Sequence, residues 1–265
     1  MKDFQTIRAS NGEARIRAFA RGSGPLVIMM PGLGRAPDDV VPLARSVAKA
    51  GFRVVLPETR GIGESKGSMD GLTLRDLAAD VVATIDAAGG GKALLVGHAF
   101  GNRVARAVAA YHPEKVSAVV CLGASGKVAP APEIQAAIDR GKDKSATREQ
   151  KAEALRIASF GPGRDVTPWL DGWNEEVMKT CLAAASATPT AEWWMAGKAP
   201  VLIIQGLADV AAVPANGRML AEELGSRGRL VELDGVGHSI PVEAPEETAA
   251  ALIPFLKEQA AAKAA

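Results

Sequence analysis

The chain has 265 residues, with 31 Lys plus Arg against 30 Asp plus Glu and a formal net charge of +1. That balance gives no electrostatic basis for binding nucleic acid or an anionic membrane surface. Apolar runs such as Leu26 to Met30 and Val201 to Ile204 fall far short of the ~20 residues that span a bilayer.

The first residues, MKDFQTIRAS, contain no apolar signal core. Two cysteines, Cys121 and Cys181, make no disulfide framework. A cytoplasmic protein is therefore the expectation. With three histidines and neither C-x-x-C nor H-E-x-x-H, no metal site and no cofactor are expected.

In chain order, FQTIRAS and EARIRAFARG alternate apolar and polar residues on either side of Asn11-Gly12, which predicts a β-hairpin. PLVIMMPGLG reads as a buried strand running into a glycine-rich loop. PDDVVPLARSVAKAG has helical spacing, with acids early and Gly51 at its end. FRVVLPETRGIGES is a strand followed by a loop. TLRDLAADVVATIDAAGG carries an apolar helical stripe of Leu74, Leu77, Ala78, Val81, Val82 and Ile85. KALLVG is the next strand, GHAFG a turn, and a helix follows through Val108. KVSAVVCLGASG is another buried strand. Near-continuous β-branched strands alternating with helices predict a mostly parallel sheet covered on both faces.

After Gly126 the pattern changes. APEIQAAIDRGKDK, ATREQKAEALRIASF and DGWNEEVMKTCLAAASA read as three helices, and no strand is expected in 127–197. Alternation then resumes with APVLIIQG, ANGRMLAEELG, GRLVELDG and PEETAAALIPFLKEQ. The tail EQAAAKAA is expected to fray as Ala-rich helix or disorder. The expected organisation is a single α/β core, 1–126 and 198–265, interrupted by a helical cap, 127–197. Such α/β domains run to roughly 200–250 residues.

The turn Gly97-His98-Ala99-Phe100-Gly101 is G-x-S-x-G with alanine in place of serine. Together with its place between a strand and a helix, the helical insertion, Asp209 after a late strand and His238 after the last one, it resembles the α/β-hydrolase fold. The segments RGIGES…GLTLRDLAAD, GHAFGNRVAR, PWLDGW and EWW are similar to an uncharacterised bacterial subgroup of that fold. The elbow is also similar to the G-H-A-L-G of the aminoacrylate hydrolases of pyrimidine breakdown.

The resemblance implies Ala99 at the nucleophile position, His238 as general base and Asp209 as its acid. It also implies an oxyanion hole from the backbone N–H groups of Leu33 and Phe100, with Pro31 standing where the family often has histidine. The Arg60-to-Ser65 loop is implied to be structural. Glu58, Asp165 and Asp171 are alternative acids of poorer placement, and His112 an alternative histidine. Ser125 and Cys121 are alternative nucleophiles, though neither lies on an elbow. His98, Trp193 and Trp194 are expected to face a small-molecule substrate, and assembly as a homodimer is left open.

A methyl group cannot attack a carbonyl. Three readings of Ala99 follow. His238 activates a water, and the protein hydrolyses a small to medium, mostly apolar ester, lactone or related acyl compound. Alternatively, Ala99 is an engineered replacement of an ordinary esterase serine. In the third, the chain is a binding protein without turnover. A cofactor-free lyase on the same fold is a further alternative.

Overall fold

A computed structural model describes residues 1–262; the last three residues of the alanine-rich tail lie outside the described residues. The chain opens with two antiparallel strands, β1 (Gln5–Asn11) and β2 (Ala14–Arg21). Asn11 pairs with Ala14, so the two-residue turn is Gly12-Glu13, one residue later than the Asn-Gly pair suggests, and Gly12 takes φ 56°. Asn11 remains in the strand, where its amide donates to Asp80 at 2.9 Å.

Next come β3 (Leu26–Met30), α1 (Val41–Lys49), β4 (Arg53–Pro57), α2 (Leu74–Ala87), β5 (Ala93–His98), α3 (Phe100–Tyr111) and β6 (Val116–Leu122). A 3-10 turn, Pro37–Val40, precedes α1. The insertion holds α4 (Pro132–Lys142), α5 (Arg148–Ala158), α6 (Glu175–Ser186) and a short fourth helix, α7 (Thr190–Trp193). The chain then returns through β7 (Val201–Gly206), α8 (Pro214–Leu224), β8 (Gly228–Leu233), α9 (Ile240–Glu243) and α10 (Pro245–Ala262).

The eight strands form one sheet in the order β1-β2-β4-β3-β5-β6-β7-β8. β2 pairs antiparallel with β4, and every pairing from β4 to β8 is parallel. The two faces divide the strand residues by alternation. Ile28, Val55, Leu95, Val119 and Ile203 pack under α2 and α3. Val27, Val54, Leu94, Val120 and Leu202 pack on α1 and α10 through Leu43, Val47, Leu252 and Phe255. Both faces are buried, which is why the central strands carry no polar alternation.

The insertion carries its own small core of Leu155, Phe160, Val166, Trp169 and Leu170. The loop after β4 is fastened as its arginine and serine suggest. Arg60 forms two hydrogen bonds to Asp80 of α2, at 3.0 and 2.8 Å, and Ser65 Oγ donates to the Glu58 carbonyl at 3.1 Å. Among the described residues, no helix is long and apolar enough to cross a membrane.

Candidate active site

The site begins at the turn from β5 into α3. Ala99 has φ 49° and ψ −112°, a backbone conformation that L residues rarely adopt. The turn is tight because its glycines allow it. A Cβ on Gly97 would lie 2.3 Å from the Gly101 carbonyl, and one on Gly101 would lie 2.5 Å from the Pro31 carbonyl. The Ala99 N–H donates to Leu122 of β6 at 2.9 Å. Phe100 is the first residue of α3, so its N–H has no intrahelical acceptor and sits at the positive end of the helix. Leu33, in the loop after β3, lines the same cavity.

Asp209 is buried in the loop after β7. One carboxylate oxygen accepts from the N–H groups of Ala211 and Ala212, at 2.9 and 2.7 Å. The other accepts from His238 Nδ1 at 2.9 Å and from Gln205 Nε2 at 3.2 Å. Four donors fix its orientation. With Nδ1–H given to Asp209, the Nε2 of His238 is left as a free proton acceptor. Glu58, Asp165 and Asp171 do not meet His238: Glu58 pairs with Arg17, Asp165 accepts from the Thr167 N–H, and Asp171 pairs with Arg148. His112 is at the far end of α3, beside Glu114.

The loop carrying His238 is tied down by residues that the sequence did not single out. The N–H groups of His238 and Ser239 both donate to the Ser159 carbonyl at 2.9 Å. Glu243 accepts from Gly237 N–H, Ser239 Oγ and Gly161 N–H. Glu243 thus joins the base loop to the end of α5. Only its position four residues after Ser239 gave a signal.

His98 is wholly buried. Its Nε2–H donates to the His238 carbonyl at 2.7 Å, while Nδ1 has no partner among the described residues. Burial, followed by the nearby His238 charge, lowers its pKa from 6.5 to about 3, so the ring is neutral. His98 lines the cavity over Ala99, as its place in the elbow implies.

Trp193 and Trp194 do not line that cavity. They lie against the fully buried guanidinium of Arg106, 4.7 and 4.9 Å from their ring centres, and Trp194 Nε1 donates to Glu223 at 2.8 Å. The short helix α7 turns them onto α3 and into the sheet's own core, away from the elbow. The other two tryptophans face the cavity. Trp169 and Trp173, four residues apart, meet edge to face at 5.3 Å, and Trp169 stands 5.9 Å from the His98 ring and 6.3 Å from the His238 ring. Arg35, just past the Leu33 loop, stacks over both indoles and donates to the carbonyls of Pro168 and Asp171.

The cavity has a volume of about 180 Å³. Ser125 borders it and accepts from Arg103 Nε at 3.1 Å. Cys121 is buried inside β6, and burial pushes its thiol up to about 11, which leaves it unreactive at neutral pH.

A strained turn, an imidazole hydrogen-bonded to a buried carboxylate, and the loop carrying Leu33 meet at one cavity. Residues 25–165 match the family model described as the alpha/beta hydrolase fold. The chain belongs to the α/β-hydrolase family.

It is 28% identical over 256 residues to a protein of Caulobacter sp. (strain K31) named carbamate hydrolase RutD, covering 89% of this chain and 91% of that one. It is 27% identical over 249 residues to a protein of Mycobacterium tuberculosis named non-heme bromoperoxidase BpoC, covering 88% and 94%. Among solved structures, the enol-lactonase from Burkholderia xenovorans LB400 superposes with a TM-score of 0.78 at 23% identity, covering 94% of this chain and 99% of that one. The fold is shared, and the class of enzyme is hydrolase.

Proposed function

We propose that the protein hydrolyses an activated acyl compound, an ester, lactone or relative of these, with water in place of the usual serine. His238 Nε2 takes a proton from a water beside the Ala99 methyl. The oxygen of that water bonds to the acyl carbon, and the carbonyl electrons move to oxygen. The N–H groups of Leu33 and Phe100 hold the oxyanion. On collapse the bond to the leaving group breaks, and that group takes the proton from His238. Asp209 keeps the imidazole in the required tautomer and stabilises its protonated form.

The observation that carries this reading is the Asp209–His238 hydrogen bond of 2.9 Å beside an elbow whose nucleophile position holds a methyl. A serine enzyme stripped of its serine retains roughly 10³–10⁴-fold acceleration over water from binding and the oxyanion hole. That is sufficient for a substrate with a good leaving group, and insufficient for an ordinary amide. A relative named for carbamates and a fold neighbour titled an enol-lactonase support an acyl substrate of this kind.

The test is hydrolysis of short p-nitrophenyl esters by the chain, by Ala99→Ser and by His238→Ala. The expectation is turnover by the unaltered chain, reduced roughly 10²–10⁴-fold by His238→Ala, the usual worth of a general base. Turnover by Ala99→Ser alone would overturn the water mechanism and leave a silenced serine site. No turnover by either would favour a binding protein.

A further inference from the structure

The charges around the cavity are one-sided. Its wall includes the cationic side chains of Arg35, Arg103 and Lys142, and no Asp or Glu. Arg35 is already neutralised by Asp39, through two hydrogen bonds of 2.8 Å. Arg103 and Lys142 form no ion pair among the described residues. Arg103 uses Nε on Ser125, and its two terminal nitrogens have no hydrogen-bond partner among the described residues. The ammonium of Lys142 stands 5.6 Å from the Trp173 ring centre, and the nearest acid acting on it is Asp139, one turn back on α4.

Behind Arg103, one turn on along α3, Arg106 is fully buried. Among the described residues it is met by Asn102, the Ser125 carbonyl and the two indole faces, with Nη1 unpartnered. Burial lowers the pKa of Arg103, of Lys142 and of Arg106, the last to about 10; that is what charges lacking a counter-ion show. The chain as a whole is nearly neutral, at +1, so this excess is local.

We propose that the substrate carries a carboxylate, which binds Arg103 and Lys142 while its acyl carbon lies over Ala99. A guanidinium with two free terminal nitrogens matches a carboxylate in geometry as well as charge. Arg103 and Lys142 are half-buried; partly desolvated cations without partners are costly, and a bound anion offsets that cost. Arg103 lies in the first turn of α3, which starts directly after Ala99, and both residues line the cavity. The carboxylate and the scissile acyl carbon are therefore joined by a short chain, packed between Trp169, Trp173 and Leu182. This refines the mostly apolar substrate expected from sequence, and it rests on the hydrolase reading of the same site.

The test measures binding without turnover. Adipamic acid, with one carboxylate, and adipamide, its neutral counterpart of equal length, are titrated calorimetrically into the unaltered chain at low salt. The proposed water mechanism is too weak to cleave an ordinary amide, so no product is expected to confuse the titration. The expected result is roughly tenfold or tighter binding of adipamic acid, the worth of one hydrogen-bonded charge pair. That preference should fall in Arg103→Gln and in Lys142→Gln, vanish in the double variant, and weaken with added salt.

Equal affinities, no detectable binding of either probe, or a preference that survives in the double variant would each overturn the proposal. Should Arg103→Gln fail to fold, Lys142→Gln and the two probes on the unaltered chain decide it. Anion preference without ester turnover would sink the hydrolytic reading and leave the carboxylate site standing. Ester turnover without anion preference would do the reverse.

Discussion

Acidification should destabilise the protein through His98. The ring is 0% exposed, and its Nε2–H is engaged by the His238 carbonyl at 2.7 Å. Burial first, then the charges of His238 and Arg35, hold its pKa at about 3, against 6.5 for an ordinary histidine. Above 6.5, neither the folded nor the unfolded chain protonates this residue, and His98 adds no pH dependence. Below 6.5 the unfolded chain takes up a proton that the folded chain refuses. Stability then falls by ~1.4 kcal/mol per pH unit until the folded pKa is reached. Between neutrality and roughly pH 4, this one ring accounts for about 3 kcal/mol. His98→Gln keeps an N–H able to reach the His238 carbonyl but has nothing to titrate. Urea unfolding of both chains at neutral pH and near pH 4 gives four stabilities, and their double difference isolates His98, because the acids common to both chains cancel. The unaltered chain should lose about 3 kcal/mol more than the variant. Equal losses would mean that the folded protein accepts the proton near the ordinary value, and the argument from burial would fail.

Gly97→Ala places a Cβ 2.3 Å from the Gly101 carbonyl and 2.4 Å from the Asn102 nitrogen, all backbone atoms that cannot swing aside. The expected result is a loss of at least ~3 kcal/mol or failure to fold, read from the melting temperature; a change within ~0.5 kcal/mol would show that the turn yields. Asp209→Asn must keep its amide oxygen toward the N–H groups of Ala211 and Ala212, which turns its NH2 toward Gln205 and His238. His238 Nδ1 then becomes the acceptor and Nε2 carries the proton. Nitrogen chemical shifts of the ring should report that switch of tautomer, and any ester turnover should fall by roughly 10⁴-fold. An unchanged tautomer would refute the orienting role of Asp209.

The strands were legible in the sequence because burial on both faces leaves unbroken apolar runs such as Leu26 to Met30 and Val201 to Ile204. The stations of Asp209 and His238 followed from chain order, since each comes just after a strand that ends at the same edge of the sheet. The hairpin was misplaced by one residue because Asn11 serves as the partner of Asp80 rather than as a turn residue. The tryptophans were harder. Trp193 and Trp194 lie next to the strand that re-enters the sheet, and nothing local says which way a four-residue helix turns. Trp169 and Trp173 reach the cavity because Arg35, more than a hundred residues earlier, clamps the carbonyls around them. Arg103 and Lys142 look like ordinary helix-surface cations in sequence. Only the packed structure shows that neither forms an ion pair among the described residues.

The conformation of Ala99 bears on whether the site transfers protons or merely binds. A non-glycine residue at φ 49° and ψ −112° costs ~1–3 kcal/mol, and glycine at the same position would avoid most of that cost. Three loops meet at this point, and each carries a feature that refers to it. The β5–α3 turn presents the Phe100 N–H, the loop after β3 brings Leu33, and the loop after β8 holds His238. Trp169, Trp173 and Leu182 wall the pocket on the side of the insertion. Asp209 does not itself line the cavity: one of its carboxylate oxygens holds the N–H groups of Ala211 and Ala212 at the cavity wall, and the other engages His238 Nδ1 and so leaves Nε2 free. An imidazole with one nitrogen engaged and the other free, at the edge of a strained turn, suits the proton transfer proposed above. That geometry favours the proposal that water takes the place of the missing serine oxygen.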